Sequence, residues 1–205
     1  MDIGFTVSRA GGRASCTLGD VVLLIDPSLP RGLHHLEVVG CPSTVDDFAG
    51  LPVVHVAGRV ADVRAANGSA PSGSASAEKR LAVIGVDHVV VLADDVRATC
   101  AEIERVSGAP LKRVKESDRG IQGFHRLGSV ILEVVERRLV DPGRKSSDAT
   151  YWGFVVTVSN LDEMIAHLGP DVLGAAKPAV QPGRRIATVR RDAGLGMPVA
   201  LMSPE

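Results

Sequence analysis

Asp95 and Asn160 stand 65 residues apart, and the same order of signals recurs around each. An apolar, β-branched run leads to a helix-capping side chain, an amphipathic stretch, a glycine-proline stop and three more short runs of strand character. A repeat of one supersecondary unit constrains the fold more tightly than any bulk property, because both copies must bury equivalent faces. In the first copy, Ala82 to Leu92 reads as a strand, and Asp94 or Asp95 caps a helix with Val96, Cys100, Ile103 and Val106 on one face. Gly108-Ala109-Pro110 ends that helix. Leu111 to Lys115, Gln122 to Leu127 and Ser129 to Glu136 follow as strands, the last two joined at Gly128. In the second copy, Phe154 to Val158 is a strand, and Asn160 caps a helix with Glu163 three residues on, as a capping box requires. Leu161, Met164, Ile165 and Leu168 form its apolar stripe, and Gly169-Pro170 stops it. Lys177 to Val180, Arg185 to Arg190 and Pro198 to Met202 complete the unit. The expected fold class is α+β: paired βαβββ modules, at 81–140 and 150–205, forming a cupped mixed β-sheet.

Residues 67–80 are small, polar and turn-rich, without periodic apolar positions, and read as a flexible linker. Residues 1–66 read as a β-rich N-terminal segment. Gly12 to Ile25 looks like a hairpin, and Gly32 to Val39 looks like a module's opening strand. A degenerate third module and an unrelated β-rich extension packed on the main domain both fit that pattern.

An apolar fraction of 45% over 205 residues suffices for a packed core. A net charge of −1, with 3% aromatic residues, gives neither the electrostatic footprint nor the stacking platforms that a nucleic-acid partner needs. Met1-Asp2-Ile3-Gly4 does not open a basic-then-apolar leader, and no apolar run is long enough for a bilayer. The expectation is a cytoplasmic protein with a small-molecule ligand and no membrane partner. Cys16, Cys41 and Cys100 are odd in number, widely spaced and without a C-x-x-C pair, so they read as buried free thiols.

The chemistry-bearing feature is a histidine and a carboxylate on separate apolar strands. His88 lies in Gly85-Val86-Asp87-His88-Val89-Val90-Val91, and Glu133 follows 45 residues later in Val130-Ile131-Leu132-Glu133-Val134-Val135. The intervening stretch reads as helix, strand, strand, so the two side chains can meet within one curved sheet. An inward Glu133 between Leu132 and Val134 is costly without a partner. A ligand role, a proton-transfer role or a raised pKa accounts for it, and an outward turn to solvent is the alternative. His88 is either a ligand or an imidazole held by a carbonyl or carboxylate. Gln122, Phe124 and Arg126 share one strand face, with His125 on the other, and they are candidates for a substrate pocket. Arg126 could grip a carboxylate or phosphate, or pair with an acidic neighbour across the sheet. Trp152 is a candidate pocket wall or a residue packed on the helix. Arg184 and Arg185 follow a Pro-Gly turn and read as solvated. His34 and His35, with Glu37, read as strand neighbours facing opposite sides, unable to share one ion.

The paired units, the Gly85-Val86-Asp87-His88-Val89-Val90 opening and the Leu127 to Val135 run together resemble the vicinal oxygen chelate superfamily, which includes glyoxalases, epimerases, extradiol dioxygenases and bleomycin resistance proteins. Gln122-Gly123-Phe124-His125-Arg126-Leu127 and Gln181-Pro182-Gly183-Arg184-Arg185-Ile186-Ala187-Thr188 resemble its glyoxalase-like branch, and the likeness spans residues 82–204. The resemblance implies metal ligands on the first and last strand of each module. His88 and Glu133 match the first module's positions, while Gly153 and Ala200 fall at the second module's and carry no ligating atom. It therefore implies a metal-dependent lyase, isomerase or dioxygenase acting on a small oxygenated substrate. His88 and Glu133 would bind a divalent ion of open identity, Glu133 would also be the catalytic proton carrier, and the assembly would be a homodimer. His125, Glu136 or a residue of another chain would have to complete the ligand set. Trp152, beside Gly153, would fill or wall the place of the absent ligand. A non-catalytic protein that sequesters a small molecule is the alternative, and an assembly module acting through its sheet edges is a third reading.

Overall fold

The computed structural model describes residues 7–10, 12–18, 21–39, 47–56 and 81–205. The linker expected at 67–80, Cys41 and parts of the N-terminal segment lie outside the described residues. The chain divides into two compact units, one drawing on ranges 1–31, 60–87 and 154–205 and the other on 32–59 and 88–153.

The first βαβββ module runs through β7 (Val83–Ala93), α1 (Val96–Ser107), β8 (Leu111–Ser117), β9 (Gly120–Leu127) and β10 (Val130–Glu136). Its sheet order is β7-β10-β9-β8, with β7 parallel to β10 and the other pairs antiparallel. Closing a parallel pair needs a long crossover, which α1, β8 and β9 supply. Asp95 accepts the Ala98 amide at 2.9 Å as the N-cap, and Gly108, at φ 70°, returns its N–H to Glu104 O at 2.9 Å. Such an N-cap is worth about 1 kcal/mol. The predicted stripe of Val96, Cys100, Ile103 and Val106 is buried, as are Leu132 and Val134 of β10. Gly123 on β9 makes the close approach of helix and sheet possible, since a Cβ there would stand 2.3 Å from Cys100 Sγ.

The same unit holds β4 (Leu36–Val39), β5 (Asp47–Phe48) and β6 (Leu51–Val56), with β4 parallel and β5 antiparallel to β6. Phe48 and Leu51 are fully buried. The Ala149 amide donates to Ala49 O, and the Tyr151 hydroxyl to Pro52 O, each at 2.9 Å. His34 and His35 precede β4 rather than lie within it, and His35 Nε2 is 3.5 Å from Glu37 Oε1.

The second module comprises β11 (Thr150–Val158), α2 (Leu161–Leu168), β12 (Lys177–Pro178), β13 (Arg185–Thr188) and β14 (Val199–Met202). Its order is β12-β13-β14-β11, again with first and last strands parallel. Asn160 accepts the amides of Asp162 and Glu163 at 3.1 and 3.2 Å, and Leu161, Met164 and Leu168 are buried. Two strands are shorter than expected, since β12 ends at Pro178 and the chain leaves β13 for a 3-10 turn at Arg191–Ala193, whereas β11 begins earlier than expected, at Thr150. In this unit β1 (Val7–Ala10), β2 (Arg13–Leu18) and β3 (Val21–Ile25) form an antiparallel meander, so the expected hairpin is present. Arg31 donates to Gly194 O at 2.7 Å and packs its stem against Gly196.

Both modules therefore follow the expected α+β plan, and Cys16 and Cys100 are buried free thiols as their apolar character implies.

Candidate functional site

Register brings the histidine and the carboxylate together. Parallel pairing of β7 and β10 sets Ile131 opposite His88 and Glu133 opposite Val90, so His88 and Glu133 project from one face a single diagonal step apart. His88 Nε2 lies 3.5 Å from Glu133 Oε2, with the side chains 13% and 15% exposed. Antiparallel pairing of β9 with β10 places Phe124 beside Glu133, Gln122 beside Val135 and Arg126 beside Ile131. Gln122 Nε2 then donates to Glu133 Oε1 at 2.8 Å, so each oxygen of the carboxylate has a defined neighbour. Arg126 is exposed and, among the described residues, makes only a long 3.4 Å contact to Ser129 O. Trp152, on β11 next to Gly153, is 36% exposed.

Neither additional ligand candidate joins this pair. His125 points to the helix side of β9, 1% exposed, with Nδ1 3.0 Å from Ala109 O, which makes that nitrogen the donor. Its Nε2 is buried without a hydrogen-bond partner. Burial holds the imidazole below its ordinary pKa, partly offset by the Ala109 carbonyl and the charge of Glu104. Glu136 instead pairs with the Arg138 guanidinium and accepts the Ile121 amide at 3.1 Å, and Arg138 is the larger influence holding its carboxyl below the usual range.

Two donors bound to one divalent ion at about 2.1 Å and a tetrahedral angle stand about 3.4 Å apart. The His88–Glu133 separation of 3.5 Å has that bite. Gln122 supplies the kind of outer contact that orients a ligating carboxylate. Among the described residues, no group of three or more His, Cys, Asp or Glu side chains surrounds a common point. The residues fit half of a chelating site, with water, substrate oxygens or another chain left to complete it.

The second module shows why it adds nothing. Val155 pairs with Ala200 as Val90 pairs with Glu133, which makes Gly153 the counterpart of His88 and Ala200 that of Glu133. Ile186 pairs with Met202 as Gln122 pairs with Val135, so the counterpart of the orienting amide is also apolar.

Two arginines behave unlike their sequence contexts. Arg184, expected to be solvated, is 6% exposed and donates to Asp87 Oδ2 at 2.7 Å, Ser203 O at 2.9 Å and Thr157 Oγ1 at 3.1 Å. A buried guanidinium persists because all its faces are satisfied. Arg137, 1% exposed, likewise donates to Asp94 Oδ1 (2.6 Å), Thr150 Oγ1 (2.9 Å), Asp148 O (2.7 Å) and Leu92 O (3.2 Å). Both guanidiniums build scaffold.

No protein-family model matches the sequence, and no curated protein does. Solved structures do match. A methylmalonyl-CoA epimerase in complex with methylmalonyl-CoA and NH4+ is 14% identical, with 60% of this chain and 95% of that chain covered at a TM-score of 0.50. A hypothetical protein from Bacillus halodurans C-125 is 12% identical, with 62% and 96% covered at a TM-score of 0.50. At these identities the likeness speaks to fold alone. The chain shares the fold of these structures, in keeping with the α+β, glyoxalase-like fold expected of its paired modules. Among the described residues no helix is long and apolar enough to cross a membrane.

Proposed function

We propose that this chain is a glyoxalase-like protein that acts on a small oxygenated molecule in an isomerase-type reaction, with His88 and Glu133 at the reacting centre. The carrying observation is the 3.5 Å approach of His88 Nε2 to Glu133 Oε2 on two half-buried side chains. His88 and Glu133 would hold a divalent ion, which when bound supplies Lewis-acid stabilisation for charge developing on a carbonyl oxygen. Glu133 would take a proton from a carbon beside that carbonyl and return it, with Gln122 keeping the carboxylate oriented. The likeness in fold to a methylmalonyl-CoA epimerase supports the isomerase-type reading over lyase or dioxygenase chemistry. Phe124, beside Glu133 in the register, would exclude water, and Arg126 and Trp152 would border the substrate. A homodimer belongs to the same proposal and rests on the family resemblance alone. Sequestration without turnover is the second reading, favoured by the counterparts Gly153, Ala200 and Ile186, which leave one module without donors.

The test is the metal content of protein purified without chelator and then offered Zn²⁺, Mn²⁺ or Co²⁺, compared between wild type and His88→Ala. Near-stoichiometric ion in the wild type, lost in a folded variant, is expected. No ion in the wild type would remove the metal-dependent reading. A small molecule that raises the melting temperature and is never converted would favour sequestration.

A further inference from the structure

Resting on that reading of the His88–Glu133 face, we infer that the molecule it handles carries an oxyanion, a carboxylate or phosphate, received by Arg113 and Lys115 about two strand spacings from the pair. The register lays the face out in rows. Arg113 on β8 pairs with Phe124, which pairs with Glu133. Lys115 pairs with Gln122, the residue that orients Glu133. Arg126 pairs with Ile131, which pairs with His88. Strands lie about 4.8 Å apart, so the β8 cations begin about 10 Å from the His88–Glu133 centre. Their long stems can shorten that span, and the ring of Phe124 lies between.

A β-bulge between Leu111 and Arg113 matters to this arrangement. Leu111 pairs with His125 on the helix side, whereas Arg113 and Lys115 fall in register with Phe124 and Gln122 on the opposite face. Four other arginines of the first module are engaged: Arg97 with Glu116, Arg105 with Glu102, Arg137 with Asp94 and Arg138 with Glu136; Arg119, in the turn after β8, is outside the Gln122–Phe124 rows. Among the described residues, Arg113, Lys115 and Arg126 form no ion pair, although Lys115 is half-buried. Cations without an acidic partner on this face attract the anionic group of a ligand. The competing account is that basic residues on an edge strand deter pairing with another chain. That role does not require them to select anionic ligands.

The experiment uses three probes with a common hydroxy-acid head: glycolate, 2-hydroxyglutarate with one more carboxylate further along the chain, and 3-phosphoglycerate with a phosphate. Affinities are measured by calorimetry on the metal-loaded wild type, Arg113→Ala/Lys115→Ala, His88→Ala, and Lys112→Ala/Arg119→Ala as a charge-matched control. The wild type should bind at least one of the two larger anions about tenfold or more tightly than glycolate, and the one preferred identifies the group. Arg113→Ala/Lys115→Ala should lose that preference while binding glycolate as the wild type does, and the control should keep it. A wild type without preference, or a preference that survives in Arg113→Ala/Lys115→Ala or is lost equally in the control, overturns the inference. A preference that depends on Arg113 and Lys115 alongside glycolate binding indifferent to His88→Ala would uphold the cationic row and sink the proposed reacting pair.

Discussion

Gln122 Nε2 donates to Glu133 Oε1 at 2.8 Å, and the amide thereby sets which carboxylate oxygen faces His88. Removing the donor leaves Glu133 in place but free to rotate. Gln122→Leu should keep the fold and melting temperature close to wild type while weakening divalent-ion affinity by about 10- to 100-fold, the usual cost of losing an orienting partner. Titration of the apoprotein with Co²⁺ or Zn²⁺, read by absorbance or calorimetry, measures this.

Arg137 should behave as a keystone without touching substrate. Arg137→Ala removes a buried stem and leaves Leu92 O and Asp148 O without their donor, while the partly exposed Asp94 can rehydrate. Loss of roughly 2–4 kcal/mol of stability is expected from the cavity and the unpaired carbonyls. Urea denaturation checks it, and any loss of metal affinity should vanish under conditions where the variant is fully folded.

His125 predicts a slope in the pH dependence of stability. Burial lowers its pKa in the folded chain below the ordinary 6.5, so between those two values the unfolded chain binds more protons. Stability should therefore be intact above pH 6.5 and fall as the pH drops through that window, by at most about 1.4 kcal/mol per pH unit from this group. The difference in unfolding free energy between wild type and His125→Gln should change with that sign. A difference independent of pH would show that the imidazole is not held neutral.

Gly123 and Cys100 should be coupled. Gly123→Ala places a methyl group 2.3 Å from Cys100 Sγ, a contact that the packed helix cannot yield to freely. Destabilisation of roughly 1–3 kcal/mol is expected, and much less when the substitution is made in a Cys100→Ala background. The Cys100 thiol, pushed up to about 11 by burial, should alkylate far more slowly at pH 8 in the folded chain than after denaturation.

The sequence exposed what local chemistry decides. Asp95, Asn160, Gly108 and the two apolar stripes mark both helices, because caps and periodicity are written within a few residues. The alternation in Gln122 to Leu127 correctly separates His125 from Gln122, Phe124 and Arg126. Destinations of long polar side chains are another matter. Arg184 looks like a turn residue and finds Asp87, 97 positions earlier in the chain, and Arg137 is indistinguishable from Arg138 until the 3-10 turn sends one inward. β12 and β13 stop short of their apolar runs, since β propensity does not announce the turns after Pro178 and Thr188, and β11 starts four residues before its own. Gln122 was legible as a face residue, but its bond to Glu133 depends on a register that only pairing reveals.

Ala200 sits in an apolar cluster with Val155 and Met202, against which Ile186 packs. A carboxylate grafted there would enter oily surroundings with no orienting amide and no imidazole nearby in register. Ala200→Glu or Gly153→His alone should thus yield an unstable chain rather than a better catalyst. On the proposed reading the two repeats divide the labour: one holds the tools, and its sibling is greasy enough there that they could not be installed one at a time.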